Sequence, residues 1–155
     1  MMGAGKTITG KQLSKNLDVS YEDLDTTIEN LYKLSINKIF SKYGEEAFRT
    51  FEAKALLNSK ANIISCGGGI VLNKGNRVYI NKGVSFFLNV DLNRLLKRLE
   101  NINNRPLLKE DSLKEGLEIL WEKRKSLYLE TADYIININD ESPNDIAKKI
   151  AGYIK

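Results

Sequence analysis

Histidine is absent from this 155-residue chain. With it go Ser-His-Asp and Cys-His catalysis, imidazole acid–base chemistry and histidine metal sites. A single cysteine, Cys66, leaves no partner for an internal disulfide and too few thiolates for a cysteine zinc site, which fits a reducing cytoplasm. Only two prolines, Pro106 and Pro143, punctuate the chain. No repeat, low-complexity tract or Pro/Gly-rich linker divides it, so 1–155 reads as one domain able to bury a continuous core. Aliphatic runs are short, which predicts no membrane span, and the residues from Met1 onward lack the basic flank and apolar stretch of a signal peptide. The net charge of +4 comes without a basic cluster interleaved with aromatics. The lysines therefore read as solvated surface, and no nucleic-acid partner is expected. Any chemistry must be run by carboxylates, lysine, arginine, hydroxyls, backbone groups and a bound metal.

What is present begins at once. Met1-Met2-Gly3-Ala4-Gly5-Lys6-Thr7 is the back half of the phosphate-loop pattern G-x-x-x-x-G-K-S/T, whose first glycine would lie before Met1. In such a loop, backbone N–H groups and a helix N-terminus face the phosphates. Lysine adds a point charge, and the threonine hydroxyl ligates Mg²⁺. The pattern predicts a helix from about Lys6 to Leu17 with Ile8, Leu13 and Leu17 along one side, then a short strand ending at Asp23-Leu24-Asp25. Helical segments follow through Ile28 to Tyr32, Ile36 to Lys42 and Glu45 to Asn58. Asn62–Cys66 is an apolar strand running into Gly67-Gly68-Gly69. A short helix near Asn76 to Asn81 precedes the strand Val84–Asn89. Asp91 caps a helix carrying Leu92, Leu95, Leu96 and Leu99. A polar break over 101–112 then separates it from a long helix at about Leu113 to Glu130. The strand Tyr134–Ile138 and a helix opened by Ser142-Pro143-Asn144-Asp145 complete the chain. Strand alternating with helix predicts an α/β fold, a parallel sheet with helices on both faces, whose ligands gather at the strands' carboxyl ends.

Several residues stand where chemistry would occur. Strand alternation would send Asp23 and Asp25 to one side, one toward a metal and the other toward a substrate hydroxyl; equally, the pair could cap the helix starting at Thr26. Three consecutive glycines permit close backbone approach to a ligand. Arg49, Arg105 and Arg124 could fork onto carboxylate or phosphate, and Arg105 lies in the polar break, where a lid over a nucleotide would sit. Trp121, Tyr128 and Phe40 read as core residues, as does Cys66.

Taken in order, these residues resemble the shikimate kinase family. The match runs through Gly3-Ala4-Gly5-Lys6-Thr7, Asp23-Leu24-Asp25, Ser35–Phe40, Gly44–Arg49 and Glu52. It continues through Gly67-Gly68-Gly69, Arg105-Pro106-Leu107-Leu108 and Arg124–Tyr128. The resemblance implies a three-layer α/β/α P-loop kinase fold that normally has five parallel strands. It implies transfer of the γ-phosphoryl group of ATP to the 3-hydroxyl of shikimate in the cytoplasmic route to chorismate and the aromatic amino acids, by a monomer using Mg²⁺. Gly3, Ala4, Gly5, Lys6, Thr7 and Arg105 would hold ATP. Thr7 and Asp23 would hold the metal. Asp25, Arg49, Gly68, Gly69 and Arg124 would hold shikimate, with Lys6, Asp25 and Arg105 catalytic and Phe40 and Phe48 lining the substrate pocket.

The chain departs from the family pattern twice. Ser126 stands where proline is usual, and the first strand, central in the family sheet, is missing. Its loss would leave its neighbours without a hydrogen-bonding partner, and the native polypeptide is expected to begin several residues upstream. Competing readings are a small kinase for gluconate or a nucleoside monophosphate, and a phosphate-loop module that binds nucleotide without turnover.

Overall fold

The computed structural model describes residues 1–102 and 110–154. Helices and strands alternate through α1 (Lys6–Leu17), β1 (Tyr21–Asp23), α2 (Leu24–Tyr32), α3 (Ile36–Asn58) and β2 (Ile63–Ser65). A 3₁₀ turn at Ile70–Leu72 leads into α4 (Lys74–Ile80), β3 (Phe86–Val90), α5 (Leu92–Ile102), α6 (Glu110–Thr131), β4 (Tyr134–Ile138) and α7 (Pro143–Ala151). The alternation is that of a P-loop α/β fold, as the pattern predicts.

The strands form two parallel pairs. β1 runs beside β2 with Tyr21 opposite Ile63 and Asp23 opposite Ser65. β3 runs beside β4 with Phe86 opposite Tyr134 and Val90 opposite Ile138. Among the described residues no ladder joins β2 to β3. Apolar side chains of β3 and β4 (Phe87, Leu88, Val90, Ile136, Ile138) pack with Leu95 and Leu99 of α5 and with Ile146 and Ile150 of α7. A second, smaller cluster of Ile28, Ile39 and Phe48 holds α2 against α3.

Helix starts are fixed by side chains that satisfy N–H groups left without intrahelical acceptors. Ser35 accepts from Lys38 N at 3.4 Å, Asp91 Oδ1 from Asn93 N at 2.9 Å, and Ser142 Oγ from Asp145 N at 3.2 Å, with Pro143 in the first helical position.

Three local expectations are corrected. β1 stops at Asp23, so Leu24 and Asp25 already belong to α2 and strand alternation does not orient the two aspartates. The cap wins there: Asp23 Oδ1 accepts from Thr26 N at 3.2 Å. On α1 the buried residues are Thr9, Gly10 and Leu13, while Ile8 is 62% exposed and Leu17 37%. The helix seats its small-residue face against the strands, where Ser65 Oγ donates to Lys6 O at 3.2 Å. Finally, the two helical segments expected between Ile36 and Asn58 abut without a loop, broken only at Gly44, whose φ is 81°.

Candidate active site

The phosphate loop is formed. Gly3 and Gly5 take φ values of 72° and 83°, a left-handed region that side chains disfavour. Gly5 opens α1 with no side-chain cap, so the first N–H groups of the helix have no side-chain acceptor and suit an anion. Ala4 is buried between the two glycines. Lys6 Nζ donates to Met1 O at 2.8 Å, folding the charge over the loop. Burial pushes the Lys6 pKa down, while Asp25 and Asp23 pull it up. Arg98 of α5 reaches the same loop and donates to Gly3 O at 3.4 Å.

Thr7 Oγ1 donates to Asp23 Oδ2 at 2.7 Å, and Tyr21 Oη donates to the same oxygen at 3.3 Å. One carboxylate thus ties the first turn of α1 to the start of α2. Asp25 lies one residue into that helix. Burial, then the neighbouring Asp23, raises its pKa, and Lys6 opposes the shift. The glycine run faces Asp25 and Glu52: a methyl group on Gly67 would stand 2.9 Å from Glu52 Oε1 and 3.1 Å from Asp25 Oδ1.

Arg49 is braced on α3. Its Nη1 donates to Glu52 Oε2 at 2.8 Å and its Nη2 to Glu45 Oε1 at 2.9 Å. The guanidinium lies over the rings of Phe48 and Phe40, at 5.2 and 5.9 Å. It also crowds Gly69, where a Cβ would come within 2.2 Å of Nη1. Burial works to lower the Arg49 pKa, but Glu52 and Glu45 outweigh it and hold it above the ordinary value. Glu52 is 1% exposed, and its Oε1 has no hydrogen-bond partner among the described residues. Burial raises its pKa, with Arg49 and, further off, Arg124 pulling the other way. On α6, Arg124 hydrogen-bonds the Tyr128 hydroxyl, which itself donates to Gly68 O at 2.5 Å. Two arginines from different helices therefore converge on the glycine backbone, with Asp25 beside it.

The fold brings Lys6, Thr7, Asp23, Asp25, Arg49, Gly68, Gly69 and Arg124 into one region. Arg105 and the middle of the expected lid lie outside the described residues. Sequence reasoning gave no site role to Glu52 or Glu45 and read Tyr128 as a core residue, although the spacings Glu45–Arg49, Arg49–Glu52 and Arg124–Tyr128 place each pair on one helix face. Cys66 is a partly buried thiol packed against the core, and burial chiefly pushes its pKa up to about 12, which makes it a packing residue.

An uncapped glycine loop with Lys6 and Thr7, set at the carboxyl ends of parallel strands beside two aspartates, defines a phosphate-loop phosphotransferase of the α/β class. The family model described as shikimate kinase matches residues 2–155, and the chain belongs to that family. It is 38% identical to a shikimate kinase of Prochlorococcus marinus (strain NATL2A), over 100% of this chain and 80% of the relative. It is 39% identical to one of Thermodesulfovibrio yellowstonii, over 96% of this chain and 88% of the relative. Its fold superposes on the shikimate kinase of Acinetobacter baumannii, solved in complex with shikimate, with a TM-score of 0.90 at 35% identity, covering 99% of this chain and 88% of that one.

Proposed function

We propose that the protein is a shikimate kinase, transferring the γ-phosphoryl group of ATP to the 3-hydroxyl of shikimate to give shikimate 3-phosphate and ADP. The observation that carries this reading is the convergence of Arg49 and Arg124 on the Gly68–Gly69 backbone, next to Asp25 and the phosphate loop. A planar carboxylate fits two guanidinium forks, and a ring hydroxyl fits Asp25.

Phosphoryl transfer asks chiefly for positioning and charge neutralisation, and these residues supply both without histidine. Lys6 turns from Met1 O to the phosphates, where the N-terminal amides of α1 also point. Arg49, held by Glu52 and Glu45, and Arg124, held by Tyr128, orient the acceptor through its carboxylate. Asp25 hydrogen-bonds the acceptor hydroxyl, and its raised pKa makes it a better proton acceptor than an ordinary carboxylate. The Thr7 hydroxyl and Asp23 carboxylate, 2.7 Å apart, are hard oxygen donors that suit Mg²⁺. These two residues would hold the ion, which when bound neutralises phosphate charge.

The reading takes the chain as one catalytic domain, monomeric and cytoplasmic. Among the described residues no helix is long and apolar enough to cross a membrane. Sedimentation tests the monomer. Coupled ADP release with Mg-ATP, measured with and without shikimate, tests the reaction. Shikimate-dependent turnover is expected. Turnover with gluconate or a nucleoside monophosphate in its place would move the acceptor, and bound nucleotide without turnover on any acceptor would overturn the reading.

A further inference from the structure

Two carboxylates of unequal standing hold Arg49. Glu52 Oε2 accepts from Nη1 at 2.8 Å, and the Glu52 side chain is 1% exposed. A charge so deeply placed cannot leave its partner without being stranded. Glu45 holds another edge of the guanidinium. Its Oε1 accepts from Nη2 at 2.9 Å and from Nε at 3.3 Å, while its side chain is 59% exposed. An exposed pair at this i,i+4 spacing contributes little, because water screens it and solvates both partners well.

The edge that Glu45 holds is one with which arginine meets a carboxylate, through two parallel N–H groups. A well-seated carboxylate gives each of those donors its own oxygen. Glu45 gives both of them Oε1, so it fills the fork without matching it. The rest of the guanidinium is engaged. Phe48 and Phe40 lie against it at 5.2 and 5.9 Å, Glu52 takes Nη1, and a Cβ on Gly69 would fall 2.4 Å from Cζ and from Nη2. An acceptor that brings a carboxylate to Arg49 therefore meets Glu45.

The local backbone lets Glu45 yield. Gly44 breaks α3 with φ of 81° and ψ of 170°, and among the described residues nothing stands within 4 Å of where its Cβ would be. Glu45 thus opens the second helical segment. The start of a helix favours a carboxylate whether or not that carboxylate also holds Arg49. Swinging outward costs Glu45 one weak contact and leaves it in water at the favourable end of the helix dipole.

We propose that Glu45 is a stand-in for the acceptor's carboxylate, occupying the Nε and Nη2 donors of Arg49 until a carboxylate-bearing acceptor arrives and then yielding them to it. The exchange rests on the kinase reading, in which Arg49 is a ligand of the acceptor. Replacing one anion by another keeps the Arg49 charge paired throughout, with Glu52 fixed beside it. It also sets acceptor choice. A neutral acceptor has nothing to put in place of Glu45, whereas a planar carboxylate offers an oxygen to each donor. The true acceptor binds with a lowered apparent affinity, since the open fork is only a fraction of the population.

The test is shikimate binding to Glu45→Gln, read by titration calorimetry, with steady-state kinetics and thermal unfolding alongside. Glu46→Gln removes an equal charge from the neighbouring exposed residue and controls for net charge. Methyl shikimate, the neutral ester, controls for the carboxylate. Glu45→Gln is expected to lower Kd and KM for shikimate by about three- to tenfold, the weight of one exposed ion pair and of relieved like-charge repulsion. KM for ATP should move by about twofold at most, as should binding of the ester and the shikimate affinity of Glu46→Gln. Glu45→Ala, which removes the acceptor oxygen as well, should gain at least as much and decides the matter if Glu45→Gln does not fold. Equal gains for acid and ester, or an equal gain from Glu46→Gln, overturn the proposal. Unchanged shikimate affinity also overturns it, and weaker binding would make Glu45 a brace that positions Arg49. Failure of the kinase reading looks different: shikimate then binds neither parent nor variant, and the stand-in role falls with it.

Discussion

Arg49 and Arg124 differ in how they are held, and that difference sets what substitution does to each. Arg49 is locked by two carboxylates and two rings, whereas Arg124 is held through Tyr128. Replacing Arg124→Lys keeps the charge and removes the fork. Steady-state kinetics should show KM for shikimate rising about 10–100-fold, the weight of one charged hydrogen bond, with KM for ATP moving less than about threefold. Gly69→Ala probes the other arginine. The new methyl would fall 2.2 Å from Arg49 Nη1, and the cheapest relief is to swing the guanidinium aside. Shikimate KM should therefore rise, and Tm should fall by several degrees because the buried Glu52 carboxylate loses its guanidinium partner; a fall in Tm with unchanged KM would contradict the placement of Arg49 beside the substrate. The charged residues of this site were legible because phosphate, carboxylate and hydroxyl recognition draw on few side-chain types. Glu52 was not, because its importance lies in burial: a carboxylate 1% exposed beneath an arginine looks in sequence like any helical glutamate.

At the level of elements, boundaries were legible wherever a capping side chain wrote them. Ser142 and Pro143 announce α7, and Asp91 announces α5; both caps are made. Ser142→Ala should lower stability by about 1 kcal/mol, seen as a fall of about 2–4 °C in Tm with shikimate kinetics unchanged, because the cap lies away from the substrate groups. Where tertiary packing decides, the pattern misled. The periodicity of Ile8, Leu13 and Leu17 pointed to an aliphatic stripe on α1, yet the helix packs through Thr9, Gly10 and Leu13, since only small side chains let it sit close to β1 and β2. The short β1 ended early for a similar reason. Asp23 serves as strand residue, helix cap and partner of Thr7, and the cap fixed where the strand stops.

For the whole molecule, the class of fold was legible in the alternation of strand and helix. Position in space was not: nothing in Met1 as a residue says that it is 6% exposed and lines a cavity of about 530 Å³. That position has a consequence for stability. The Met1 amine titrates at 8.0 when unperturbed and at about 5 when buried beside Lys6 and Arg124. Between those values the unfolded chain holds a proton that the folded chain has released, so the free energy of unfolding rises with pH. Below both, the full penalty applies, about 4 kcal/mol for a shift from 8.0 to about 5. Asp25 and Glu52 act in the opposite sense: burial raises their pKa values, so their contribution is present at low pH and fades as pH rises through those raised values. Acetylating the Met1 nitrogen separates the two effects, because it removes only the amine and leaves both carboxyls in place. The acetylated and free chains should unfold at the same temperature near pH 8.5. The acetylated form should be the more stable by about 10 °C near pH 5, the gap closing smoothly in between. A gap that is constant across that range would mean that the amine is solvated.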